Sequence, residues 1–391
     1  MNVCHIWERF WPLEIGGVER YILSLTSYLH KSRGIEFSLL TGKSNLLFVT
    51  KNMEKFEDAG FLKVYRLGPN PVDLFYSASF RLFGEEHDRF KKPHFRGLCH
   101  EAERSAVAKS ADIFHIHGIW KELEYIDLGV YLSQHFHKPL VVTLHGGFVG
   151  DAVLGGMPLR KPDIKAILNY ADAITTYSKE VLGTLQELGL GDKSHLITNF
   201  VDTWQFKKTT APPLEHDDTA VYVGRLEPLQ TPELLIEAFK KVHAQVPNAK
   251  LHIVGYGTLY EQLKNQIHEY GLDETVSLMG KQTDVRKFLW NSDIFIATNF
   301  GYIASLEAWS AGLAVIAPNF GILKETISHQ DNGLLFKPKD ADELALALIA
   351  LLKDKELRKK LALNGTETVK GYDIRAVTPK MADVYKSVIK K

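Results

Sequence analysis

Short bursts of β-branched and aliphatic residues recur along the whole chain, and stretches with amphipathic helical patterning separate many of them. The first half carries VCHIW (3–7), FSLLTG (37–42), VYRL (64–67), DIFHIHG (112–118), LVVTLHG (140–146), AITTYS (173–178) and HLITNFV (195–201). The second half carries AVYVGR (220–225), LHIVG (251–255), VSLMG (276–280), DIFIAT (293–298), AVIAP (314–318) and GLLFKP (333–338). Continuously apolar strands are buried on both faces. Strands separated by helices form a parallel sheet with helices on either side. The pattern therefore predicts an α/β chain of two Rossmann-like parallel-sheet domains, and a length of 391 residues agrees with two. The polar stretch 202–218, with Pro212 and Pro213, reads as an interdomain linker. Residues 68–100 read as a long loop or a partly helical insertion. The two halves share architecture without evident sequence repetition.

Composition narrows the function classes. Apolar residues make up 45% and charged residues 24%, as in soluble globular proteins. Lysine plus arginine equals aspartate plus glutamate at 47 each, so no strong field favours nucleic acid as a partner. Cys4 and Cys99 make no disulfide framework and no CxxC, which fits a reducing, cytoplasmic setting. The N-terminus lacks a signal-peptide core, and no apolar run reaches the length of a membrane span. Peripheral membrane contact stays open.

In open α/β sheets ligands bind at the carboxyl ends of the strands. The candidate residues follow VCHIW, LVVTLHG, AVYVGR, LHIVG, VSLMG and DIFIAT. Gly16 and Gly17 precede a helix, where they could let backbone amides hold an anion or simply serve a loop of positive φ. Gly255 and Gly257 give two of the three glycines of a dinucleotide fingerprint, but Tyr260 stands at the third position. That marks a strand-end turn rather than a nicotinamide site. Arg225 leaves a buried strand where a guanidinium could hold phosphate oxygens, or it could be a surface arginine. His115 and His117 share one side of their strand. With His145 they raise the question of a metal, against which stands the absence of an HExxH motif and of a carboxylate partner.

NFGYIASLEAWSAGLAVIA (299–317) sets Glu307 in an otherwise apolar helix. A buried carboxylate needs partners, and a vicinal diol such as a ribose would supply them. The helix amides around Ile303, Ala304 and Ser305 could receive phosphate oxygens.

In order and spacing these motifs resemble the retaining glycosyltransferases of family 4 (glycosyl transferases group 1). The resemblance runs from GGVERYILSLTSYL through DIFHIHGIW, VVTLHGGF, VYVGRLEPLQTPELLIEAF and SDIFIATNFGYIASLEAWSAGLAVIA to DNGLLFKPKDADELALAL. It implies the GT-B fold, with two Rossmann-like domains facing each other across a cleft. The domains would be residues 1–202 on the acceptor side and 203–374 on the nucleotide-sugar side, with a helix over 375–391 crossing back. It also implies transfer of a sugar from a nucleoside-diphosphate sugar, with UDP-glucose the first choice. The acceptor would be a glycan or a lipid-linked sugar in polysaccharide biosynthesis.

The resemblance implies that His145 contacts the donor sugar and that Arg225 holds the diphosphate, the two catalytic positions. Gly17 would approach the donor phosphate, Lys281 would lie where main-chain atoms read the base, and Glu307 would bind the ribose as the second glutamate of E-x7-E. The rest of the implied donor site is Gly16, Gln230, Gly255, Asn299, Phe300, Gly301, Tyr302, Ile303 and Ala304. Two positions depart from the family pattern. Gln230 stands in place of a diphosphate-binding lysine, and Asn299 in place of the first glutamate. Neither a metal nor a cofactor is implied, since the nucleotide sugar is a substrate.

The two departures keep a second possibility alive: a weakened or inactive relative that binds a nucleotide sugar or a partner protein. A third, an epimerase, would need acid–base carboxylates, for which Glu14, Glu19 and Asp151 remain unplaced. Phe75, Tyr76, Phe80 and Phe83 could stack on an acceptor sugar or pack their own loop.

Overall fold

The computed structural model describes residues 1–7, 17–42, 56–68, 93–118, 124–145, 161–208 and 218–390. The chain divides into two units, Met1–Thr198 with Thr378–Lys391 and Asn199–Val377, so the backbone passes between them twice. Each unit has its own hydrophobic core.

The first unit holds an eight-stranded sheet in the order β3-β4-β2-β1-β5-β6-β7-β8. Its strands are β1 (Asn2–Ile6), β2 (Glu36–Gly42), β3 (Phe56–Asp58), β4 (Lys63–Leu67), β5 (Ile113–His117), β6 (Leu140–Leu144), β7 (Ala173–Thr176) and β8 (Ser194–Leu196). All neighbours pair in parallel except the short edge strand β3, which runs antiparallel to β4. β5, β6 and β7 are buried along their whole length, as a sheet covered on both faces requires.

The second unit holds a six-stranded, all-parallel sheet in the order β11-β10-β9-β12-β13-β14. These strands are β9 (Thr219–Val223), β10 (Lys250–Val254), β11 (Val276–Gly280), β12 (Ile294–Ile296), β13 (Ala314–Pro318) and β14 (Leu334–Phe336). Counted from β9 the order is 3-2-1-4-5-6, the doubly wound arrangement whose strand order reverses between β9 and β12. Both sheets place their reversal beside their first strand, with β1 lying between β2 and β5. The α/β, parallel-sheet expectation holds in both halves.

One segment differs from the sequence reading. The described part of the supposed linker, residues 202–208, belongs to the second unit. Asp202 accepts from the Trp204 amide to start the short helix Thr203–Phe206. The Arg375 guanidinium ties Asp202, Thr203 and Asp373 together. Polarity and prolines suggested a linker, but the partners that dock this segment lie about 170 residues away and leave no local trace. The helix Pro93–Arg104 begins inside 68–100, in keeping with the partly helical alternative for that segment. Phe75, Tyr76, Phe80 and Phe83 lie outside the described residues.

Candidate functional site

In the second unit, loops from the carboxyl ends of three neighbouring strands are stitched together by their backbones. Gly224 donates to Val254 O at 3.0 Å, Leu226 to Tyr256 O at 3.2 Å, and Gly255 to Gly280 O at 3.0 Å. The contact at Gly255 is so close that a Cβ there would sit 1.8 Å from the Gly224 carbonyl oxygen, at a φ of +158°. Only glycine fits. The incomplete fingerprint of β10 thus serves close packing of strand-end turns.

Arg225 emerges from this seam exposed to solvent. No ion pair involving it is found among the described residues. Its charge adds a small pull on Glu227, whose carboxyl is held below its usual range mainly by hydrogen bonds from the Thr258 hydroxyl and amide. Lys281 is likewise exposed, directly after Gly280.

The loop after β12 closes the other side. Thr298 donates its hydroxyl to the Gln230 carbonyl, and Asn299 Nδ2 donates to Leu229 O at 2.7 Å. These two bonds clamp the 3₁₀ turn Pro228–Gln230. A glutamate at 299 carries only acceptors when ionised and could not make the second bond. The two departures from the family pattern, Gln230 and Asn299, therefore meet in one structural unit. Thr298 was not singled out by sequence, because its partner is 68 residues distant.

Gly301 then turns the chain at φ +149° into the helix Tyr302–Ser310. A Cβ on Gly301 would come within 2.9 Å of Ala297 Cβ. No side chain among the described residues caps this helix start, and a helix N-terminus is where an anion or water is favoured. Phe300, Ile303 and Ala304 are half-buried, whereas Tyr302 is buried and packs edge-on against Tyr372. Glu307 is 6% exposed in the second turn, as its apolar surroundings led one to expect.

The first unit's carboxyl edge is built differently. His5, His115, His117 and His145 lie together, all buried. His5 Nδ1 is 2.6 Å from His117 Nε2, and His117 Nδ1 is 2.9 Å from His145 Nε2. His115 bonds the Tyr385 hydroxyl at 2.8 Å and Thr143 Oγ1 at 2.7 Å. Burial pushes His5 and His145 down to about 3, and His115 and His117 well below the ordinary range, so all four are neutral near pH 7. His5, His115 and His117 each bring one nitrogen within 4.8 Å of the others, the spacing of a candidate metal cluster. His5 escaped the sequence reading, although β1 pairs it directly with His115.

Of the remaining candidates, Gly17 is exposed at the start of the helix Gly17–Arg33. Gly16, Glu14 and Asp151 lie outside the described residues. Glu19 accepts from the Trp7 indole at 2.9 Å and is 5% exposed, a packed carboxylate rather than a free acid–base group.

Residues 15–205 match the model described as Glycosyltransferase Family 4, and residues 205–368 match Glycosyl transferases group 1. The chain belongs to the group 1 glycosyltransferases. Among curated relatives, N-acetyl-alpha-D-glucosaminyl L-malate synthase of Bacillus anthracis is 25% identical over 71% of this chain and 74% of its own. Sucrose-phosphate synthase of Thermosynechococcus elongatus superposes with a TM-score of 0.76 at 21% identity, covering 100% of this chain and 99% of that one. HepE of Anabaena, solved with UDP and also with UDP-glucose, superposes at 0.71 with 18% identity, covering 99% and 100%. These likenesses establish the GT-B fold for this glycosyltransferase. No described helix is long and apolar enough to cross a membrane.

Proposed function

We propose that this glycosyltransferase moves a sugar from a nucleoside-diphosphate sugar to a glycan or lipid-linked acceptor, with retention and without a metal. UDP-glucose is the first donor to test, a choice supported by the UDP and UDP-glucose complexes of HepE. One observation carries the reading: Arg225 is exposed and without an ion pair among the described residues, on the same strand-end seam as the start of the helix whose second turn holds the buried Glu307. Arg225 would neutralise the diphosphate as charge grows on the leaving group. The first helix amides would take its remaining oxygens. Glu307 would accept from the ribose hydroxyls, and main chain near Lys281 would read the base. His145 of the first unit would contact the donor sugar. Gly16 and Gly17 would approach the phosphate. Polysaccharide biosynthesis in the cytoplasm, with peripheral membrane contact for a lipid-linked acceptor, belongs to the same proposal.

The clamped turn bearing Gln230 favours a second reading, a weakened enzyme or a nucleotide-sugar-binding relative. A charge-assisted contact is worth about 1.5–3 kcal/mol, so the missing lysine alone could lower turnover by roughly one to two powers of ten.

Release of free nucleoside diphosphate, assayed with a panel of UDP-sugars and acceptors in the presence of EDTA, tests the proposal. Turnover is expected, and Gln230→Lys is expected to raise it roughly tenfold or more. UDP binding without release in either protein would instead establish the binding relative.

A further inference from the structure

The imidazoles of His5, His117 and His145 form a continuous chain through the interior of the first unit. Each of the two nitrogen–nitrogen contacts needs one proton between its partners, and a neutral imidazole carries only one. The chain therefore has two self-consistent arrangements. In one, every proton points toward His145, and in the other every proton points toward His5.

The far end decides between them. His5 Nε2 is buried and has no hydrogen-bond partner among the described residues. If the protons point toward His5, that atom is a buried N–H with no acceptor. If they point toward His145, it is a bare lone pair. Orphaned buried N–H groups are the rarer of the two in folded proteins. In the favoured arrangement His5 Nδ1–H donates to His117 Nε2, and His117 Nδ1–H donates to His145 Nε2. His145 then carries its proton on Nδ1, an atom with no bond among the described residues, and it is the most exposed of the four histidines at 8%.

The 2.6 Å contact between His5 and His117 also argues against a metal. Two nitrogens on one tetrahedral ion with bonds of 2.0–2.1 Å lie about 3.3 Å apart. Among the described residues no carboxylate joins the cluster to offset a dication.

We infer that His117 and His5 are positioning residues that fix His145 as a neutral hydrogen-bond donor, presenting Nδ1–H to an oxygen acceptor of the bound sugar. The tautomer assignment stands on the first unit alone. The identity of the acceptor rests on the donor-site proposal above.

Long-range proton–nitrogen spectra of the full-length protein with labelled histidine read the tautomers directly. All three rings are expected to be protonated at Nδ1 and bare at Nε2. A His145 protonated at Nε2, an imidazolium, or a fast average of both tautomers would overturn the inference. So would a stoichiometric divalent metal in the purified protein.

Two variants extend the test to binding. His117→Leu removes the donor to His145 Nε2 and should weaken a UDP-sugar about tenfold while leaving UDP, which has no sugar, unchanged. His117→Asn keeps an N–H near the position of Nδ1 and should restore the sugar nucleotide to within about threefold. Equal losses for UDP and UDP-sugar in both variants would mean a structural role only and overturn the inference. If the tautomers are as expected but His145→Ala leaves UDP-sugar affinity unchanged, the donor-site proposal fails and the tautomer assignment stands.

Discussion

The carboxyl edges of the two sheets solve the same topological problem with opposite chemistry. In the second unit the strand ends are glycine-rich backbone, closely packed, with cations left in solvent at Arg225 and Lys281. In the first unit they are filled by four buried neutral imidazoles with the hydroxyls of Thr143 and Tyr385. One edge suits a charged, flexible ligand, because it offers a helix start and an exposed guanidinium with no ion pair among the described residues. The other is a preset hydrogen-bonding framework that carries no charge of its own. The difference teaches where each edge is fragile: the second to added atoms, the first to added protons.

Gly255→Ala breaks the comparison hardest. Its Cβ would overlap the Gly224 carbonyl, which is backbone and cannot rotate away. A loss of about 4 kcal/mol or more, or failure of the second unit to fold, is expected in thermal or denaturant unfolding. Gly17→Ala, whose Cβ meets nothing within 4 Å among the described residues, should change stability by less than about 0.5 kcal/mol. Equal effects would deny that the strand-end seam is tight.

Acid should act on the first unit. His5 and His145 titrate near 6.5 when unfolded and near 3 when folded. The unfolded chain therefore binds the extra protons, so stability is fully present above pH 6.5 and is lost as pH falls toward 3. The slope is about 1.4 kcal/mol per pH unit for each histidine that stays neutral. Denaturant titrations between those limits should show it, and His117→Asn should flatten it. A flat profile would contradict a buried neutral cluster.

A smaller effect belongs to the clamp on the turn Pro228–Gln230. Asn299→Asp replaces a donor to Leu229 O by an acceptor and should lower stability by about 1 kcal/mol. Asn299→Gln, which keeps a donor, should recover part of that loss. An aspartate variant as stable as the parent would remove the structural reason for asparagine at this position.

Much of the molecule is legible in the sequence, and what is not shares one physical cause. LVVTL, AVYV and AVIAP declare buried parallel strands, because covered strands are apolar nearly throughout. Arg225, Gly255 and Glu307 are visible because a strand end, a glycine and a carboxylate in an apolar helix are local anomalies. The clamp of Thr298 and Asn299 on the turn at 228–230, the pairing of His5 with His115, and the docking of Asp202 onto Arg375 and Asp373 are not local. Each joins residues far apart in the chain, and nothing in a single sequence records which partner the sheet register will deliver. The linker reading fails over the described residues 202–208 for that reason, since polar residues look the same whether they face water or a distant arginine.

The central claim is that the second unit's strand-end seam holds the diphosphate of a nucleotide. Calorimetric titration of UDP into the parent, Arg225→Ala and Glu307→Ala tests it most directly. The account predicts that the parent binds UDP, that Arg225→Ala binds roughly 10–100-fold more weakly, and that Glu307→Ala is also weakened through the loss of its ribose bonds. Unchanged UDP affinity in both variants would contradict it.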